Sequence, residues 1–99
     1  MTASDPTVIR ADDRHQYEAL LDGEVAAIAQ YRLRPGQVVF THTETRPEFS
    51  GRGVASALAR AALADVRARG EKVIARCPFI ASYLADHPEY ADLLADAEA

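Results

Sequence analysis

The sequence predicts an α/β protein with a mixed sheet: four antiparallel strands, one long helix, a parallel fifth strand and a helical C-terminal tail. Three observations predict it. Up to Thr45 the chain runs in segments that alternate apolar and polar with period two, separated by turn dipeptides. Residues 51–69 change to a period near 3.6. A further strand segment, 71–77, follows Gly70 and ends at Pro78. A helix between the fourth and fifth strands is a crossover, and a crossover lets those two strands run parallel.

Taken in order, residues 8–12 form a short strand, and Asp12-Asp13-Arg14-His15 a turn. In 16–21, Tyr17, Ala19 and Leu21 share one face, with Gln16 and Glu18 on the other. Asp22-Gly23 is a strong hairpin signal. In 24–33, Val25, Ala27, Ala29, Tyr31 and Leu33 are expected on one face. Arg34-Pro35-Gly36-Gln37 is a turn, and 38–45 reads as the fourth strand. Arg46-Pro47-Glu48-Phe49 breaks the pattern. The helix of 51–69 carries Val54, Leu58, Ala61, Ala62 and Val66 on one stripe, with Gly70 as its stop. The strand of 71–77 puts Val73, Ala75 and Cys77 on one face. A short helix, 79–86, comes next, and Pro88 suits the first position of another, with Tyr90, Leu93 and Leu94 as its apolar side.

Ninety-nine residues, 48% of them hydrophobic, bound one domain over 1–99 with one modest core. The formal charge of −4 argues against a nucleic-acid partner, which requires a positive face. Acidic residues gather at both ends, while Arg46, Arg52, Arg60, Arg67 and Arg69 leave a local basic patch open to an anionic ligand. A lone cysteine, Cys77, excludes an intrachain disulfide and suits a reducing compartment. No apolar run reaches membrane-span length, and Met1 to Pro6 lacks a signal-peptide layout, so a cytoplasmic protein without membrane partners is expected.

The junction Phe49-Ser50-Gly51-Arg52-Gly53-Val54-Ala55-Ser56 is where a strand gives way to a helix. The first amides of a helix have no partner within it, and the dipole adds partial positive charge there. Gly51 and Gly53 allow close backbone approach, so the turn is expected to hold a pyrophosphate. The same spelling also serves as a plain tight turn. It is neither a dinucleotide fingerprint nor a Walker loop. His42 and Glu44 near the end of strand four, Cys77 at the end of strand five and the glycine turn are expected at one edge of the sheet, where parallel strands part and leave a crevice.

His42-Thr43-Glu44-Thr45, Pro47-Glu48-Phe49, Gly51-Arg52-Gly53-Val54-Ala55, Cys77-Pro78-Phe79, Tyr83-Leu84 and His87-Pro88-Glu89-Tyr90 together resemble the GNAT superfamily of N-acetyltransferases, in its small single-domain branch. The resemblance covers nearly the whole chain. It implies a GNAT-like fold and transfer of acetyl from acetyl-CoA to an amine, on a small molecule or a protein. The superfamily's acyl-CoA motif falls on Ser50, Gly53 and Ala55, with Ser50 replacing the usual Arg or Gln and Arg52 standing by as a cation. The implied cofactor-binding set is Thr43, Glu44, Ser50, Gly51, Arg52, Gly53, Val54, Ala55 and Ser56, and the implied catalytic pair is His42 and Cys77. The extra N-terminal helices that usually help form an acceptor pocket are missing.

Acetyl transfer needs a base for the amine, donors for the oxyanion and a proton for the CoA sulfur. An imidazole such as His42 suits the first. Backbone amides near His42 and Thr43 suit the second. Cys77 suits the third, or acts instead as a nucleophile that carries the acetyl group with His42 as its activator. Plainer roles stand beside these: Cys77 as a small buried apolar residue, His42 as an exposed strand residue, Glu44 as a solvated carboxylate. His15 reads as a surface turn residue, His87 as serving the turn before Pro88, and Tyr83 and Tyr90 as packing residues. Neither a zinc ligand set nor a serine-hydrolase elbow is present, so no metal is expected. The alternative function is a CoA-binding sensor or interaction module without catalysis, and a homodimer stays open.

Overall fold

A computed structural model describes residues 6–95. The expectation for the stretch before Pro6, and the acidic residues at 96–99, lie outside the described residues. The strands are β1 (Thr7–Ala11), β2 (Gln16–Leu21), β3 (Glu24–Arg34), β4 (Gln37–Thr45) and β5 (Lys72–Ala75), and the α-helices are α1 (Val54–Ala68) and α2 (Pro78–Asp86). Short 3-10 segments occupy Pro47–Phe49 and Pro88–Leu93. The sheet order is β1-β2-β3-β4-β5, antiparallel throughout except for β4 and β5, which run parallel. The expected architecture is therefore the observed one.

Local chemistry explains the turns. Asp22 and Gly23 both take positive φ, 50° and 81°, the geometry of a tight hairpin whose twist matches its strands. α1 buries Val54, Leu58, Ala59, Ala62, Leu63 and Val66 against the sheet. Ala61, expected on that stripe, is only half-buried, because the buried face centres on Ala62. The core also takes in Tyr17, Ala29, Tyr31, Val38 and Phe40 from the sheet and Ile80, Tyr83 and Leu84 from α2.

Several boundaries differ from expectation. β1 spans Thr7–Ala11 rather than 8–12, because Asp12 turns its carboxylate to Arg10 and Tyr31. The expected last helix is a 3-10 segment, and Leu94 leaves it to bridge Val73 at the outer edge of β5. Two register shifts matter more. Ala26 is an extra residue in β3 opposite β2, so Val25 pairs with Leu20 and leaves the face that holds Ala27 and Ala29. Thr41 is an extra residue in β4: Phe40 pairs with Tyr31 but His42 with Gln30.

The end of the sheet remote from the glycine turn is tied by a buried arginine. The Arg10 side chain is 6% exposed, whereas its neighbour Ile9 is 39% exposed, the reverse of what hydropathy suggests. Arg10 Nε donates to Asp12 at 2.9 Å and Nη1 to Glu71 at 2.9 Å, and its guanidinium lies over the rings of Tyr17 and Tyr31. Tyr17 donates to Asp65 of α1 at 2.6 Å, and Tyr31 donates to Asp12. Burial opposes the charge of Arg10, but its bonds to Glu71 and Asp12 outweigh that and raise its pKa. Burial, then the bond to Asp12, pushes Tyr31 up to about 12. The Tyr31 hydroxyl, then Arg10, holds Asp12 below the usual carboxylate range.

Two outcomes follow. Arg10→Ala removes the buried cation that joins Asp12, Glu71 and the two tyrosine rings, and urea unfolding is expected to show a loss of about 3 kcal/mol. Tyr31 titrates near 10 when unfolded and about 12 when folded, so its contribution is complete below about pH 10 and is lost as pH rises through 12. The lowered Asp12 contributes above its unfolded value near 4 and loses that contribution as pH falls. Tyr31→Phe is expected to flatten the alkaline limb of a stability–pH profile and to leave an acid limb.

Candidate active site

β4 and β5 separate at one point. Their last paired residues are Phe40 and Ala75. The next two amides of the chain, Arg76 and Cys77, both donate to the carbonyl of Phe40, at 2.9 and 3.0 Å. Pro78 has no amide proton to continue the ladder and opens α2 at its first position. β5 is thus shorter than the expected 71–77, and Cys77 is the N-cap of α2 rather than a strand residue. β4 runs on alone for Thr41–Thr45, about 16 Å of strand, with no partner on the β5 side among the described residues.

The glycine turn sits where β4 leads into α1. The expected helix start at 51 moves to Val54, because Gly51 and Gly53 take φ of 81° and 75°, outside the helical region. Gly53 is the N-cap, no side chain caps the helix, and its first turn carries no acid. A Cβ built at either glycine would meet nothing within 4 Å, so the space before the turn is open. The first amides of α1 therefore face that space without an internal partner. Beside them lies a cavity of about 430 Å³ lined by Phe49, Arg52, Gly53, Ser56 and Arg60, with Leu21 and Asp22 on its other wall. Arg52 stacks on the ring of Phe49. The expected basic patch narrows to these two arginines: Arg67 and Arg69 are bound to Asp92 and Asp65, and Arg46 lies 4.0 Å from Glu48.

The remaining site candidates fall on two faces of the sheet. Cys77 is 2% exposed, and its Sγ lies 3.1 Å from Thr43 Oγ1, on the face that carries α1. His42 and Glu44 project from the opposite face, both exposed, with Nε2 and Oε1 3.7 Å apart. The side chains of His42 and Cys77 thus flank the fork from opposite sides, and the structure brings Cys77 onto Thr43 rather than onto His42. Ser50 closes the 3-10 turn through its amide to Pro47, and the Val54 side chain belongs to the core, which leaves only its amide for a ligand. Ala55 is half-buried and Ser56 exposed. His15 is an exposed turn residue, and His87 Nδ1 bonds the carbonyl of Tyr83, on whose ring it stacks.

Thr43, expected in the cofactor-binding set and through its amide, turns its side chain to Cys77 instead. Strict alternation from the buried Phe40 would put His42 on the core face, and the extra residue at Thr41 puts Thr43 there instead. No composition signal marks that bulge.

A left-handed N-cap resists any side chain even where space is open. Gly53→Ala is expected to cost about 1 kcal/mol in thermal or urea unfolding, through backbone strain alone.

Comparison with known proteins agrees with this fold. The sequence profile of the family described as GCN5-related N-acetyl-transferase matches residues 16–93. Among curated proteins none matches the sequence. The solution structure of a GCN5-like protein of Staphylococcus aureus, proposed as an N-acetyltransferase, superposes with a TM-score of 0.69 over 93% of this chain and 90% of its own, at 22% identity. The ribosomal-protein-S18-alanine N-acetyltransferase of Escherichia coli superposes with a TM-score of 0.55 over 59% of this chain and 38% of its own, at 17% identity. At these identities the likeness is one of fold.

Proposed function

We propose, from the premise that this chain belongs to the GCN5-related N-acetyltransferase family, that it transfers acetyl from acetyl-CoA to an amine at the fork between β4 and β5. The observation that carries the proposal is the unpaired Thr41–Thr45 edge of β4, flanked at the same end of the sheet by the uncapped N-termini of α1 and α2. Two helix N-termini and an open strand edge suit a ligand that is anionic at one end and amide-bearing in its middle. No described helix is long and apolar enough to cross a membrane.

Each residue then has a task. The amides of Val54, Ala55 and Ser56 take the diphosphate, with Arg52 and Arg60 supplying positive charge from the adjacent cavity. The free edge of β4 offers strand-like hydrogen bonds to the pantetheine amides. Acetyl-CoA supplies an acetyl group activated as a thioester. His42, on the outer face, accepts the proton that the attacking amine must lose. On that face a cavity of about 470 Å³, lined by Arg14, His15, Gln30, Arg32 and Thr41, lies beside His42, whose register partner is Gln30. Cys77, on the inner face, gives its proton to the departing sulfur. A base and an acid on opposite sides of the fork favour direct transfer over a route in which His42 activates Cys77.

The burial of Cys77 favours a second reading, a CoA-binding module without transfer. Two measurements separate the readings. Acetyl-CoA at about a hundredfold excess over its Kd is expected to raise stability by about 2.7 kcal/mol, seen as a higher Tm. No rise refutes both readings. CoA release in the presence of amines is expected from the wild type and is expected to fall by about a hundredfold in His42→Ala. Binding without any amine-dependent release leaves only the binding module.

A further inference from the structure

We propose that Thr43 is the positioning residue for Cys77: its hydroxyl holds the thiol across the fork and stays bonded to the sulfur before and after the proton leaves. The inference rests on the proton-donor role given to Cys77 above. The backbone of Cys77 is fixed at both ends, its amide on Phe40 and its carbonyl accepting from Ala81 in the first turn of α2. What remains free is rotation about χ1. That rotation places Sγ 3.1 Å from Thr43 Oγ1, so the side chain ties the head of α2 to β4 beyond the last backbone bond between them.

Thr43 can do this only because of the bulge. With Thr41 as the extra residue, Thr43 pairs with the buried Ala29 and turns its side chain to the core face. A β-branched side chain has few χ1 states, so the hydroxyl is held by its own stereochemistry. Cys77 otherwise belongs to the buried apolar core that also holds Phe40, Leu58 and Ile80.

A hydroxyl is both donor and acceptor, and the pair uses both properties. While Cys77 carries its proton, Thr43 accepts the S–H bond. In the transfer step the S–H bond of Cys77 turns from Thr43 to the CoA sulfur and breaks, a new S–H bond forms on that sulfur, and the electron pair stays on Cys77 Sγ. Thr43 then rotates its O–H to donate to that thiolate. The proton that His42 removed from the amine returns to Cys77 through solvent, which closes the cycle without any further reactant. Valine matches the shape of threonine and can do neither.

Thr43→Val, Thr43→Ser and Cys77→Ala test this by two readouts. With acetyl-CoA and spermidine, tyramine or a lysine peptide as amines, Thr43→Val is expected to lower kcat about tenfold, with KM for acetyl-CoA unchanged. Thr43→Ser is expected to restore kcat. Independently of turnover, the lone cysteine permits its Hα–Hβ couplings to be read by NMR. They are expected to report one χ1 rotamer in the wild type and in Thr43→Ser, and averaging in Thr43→Val. A single rotamer in Thr43→Val, or an unchanged kcat there while Cys77→Ala is inactive, overturns the role of Thr43. Full turnover in Cys77→Ala overturns the assignment of Cys77 itself.

Discussion

One carbonyl decides the shape of the working end. The oxygen of Phe40 takes the amides of both Arg76 and Cys77, and the next residue is a proline. A parallel ladder advances by one amide per carbonyl in turn; here two amides are spent on one acceptor, and the third position has none to offer. The strands must part. β5 folds at once into α2, and β4 continues with one bare edge. Phe40 is held for this by its ring, which is fully buried against Tyr17 and Tyr31. Core packing thus fixes the point from which the cleft opens.

The two ends of the sheet are built on contrasting principles. At the end remote from the glycine turn, charge is buried and saturated: Arg10 meets Asp12, Glu71 and two tyrosine rings. No buried side-chain nitrogen or oxygen lacks a partner among the described residues. At the other end, helix amides are left uncapped and Arg52 and Arg60 line a cavity. Rigid, mutually satisfied polar groups hold β1, β2, α1 and β5 together, so that donors elsewhere can remain without partners inside the fold. An aspartate at Gly53 would strain the left-handed cap and set a carboxylate against the first amides of α1, the site most favourable to an anion.

Much of this was legible in the sequence, because the relevant rules are local. Asp22-Gly23 and Pro35-Gly36 dictate turns whatever surrounds them. The change of period after Gly51 marks a helix, and a helix between two strands makes them parallel. Faces were harder to read. Face assignment counts residues from a known buried position, so a single extra residue inverts everything beyond it. Thr41 inverts His42 and Thr43, and Ala26 inverts Val25. A bulge is stabilised by tertiary fit and leaves no signature in residue type. Arg10 was illegible for a related reason: an arginine in a strand reads as outward unless its partners, 55 and 61 positions further along at Asp65 and Glu71, are known to be near.

The fork with its flanking helix N-termini is the central claim, and amide chemical-shift mapping with acetyl-CoA examines it most directly. Addition of acetyl-CoA to the 15N-labelled chain is expected to move the amides of Thr41–Thr45, of Gly51 through Ser56 and of Cys77, Phe79 and Ile80 as one contiguous set. Saturable shifts confined instead to the apolar cavity between β5 and α2, around Val73, Ala81 and Leu94, or no saturable shifts at all, would contradict it.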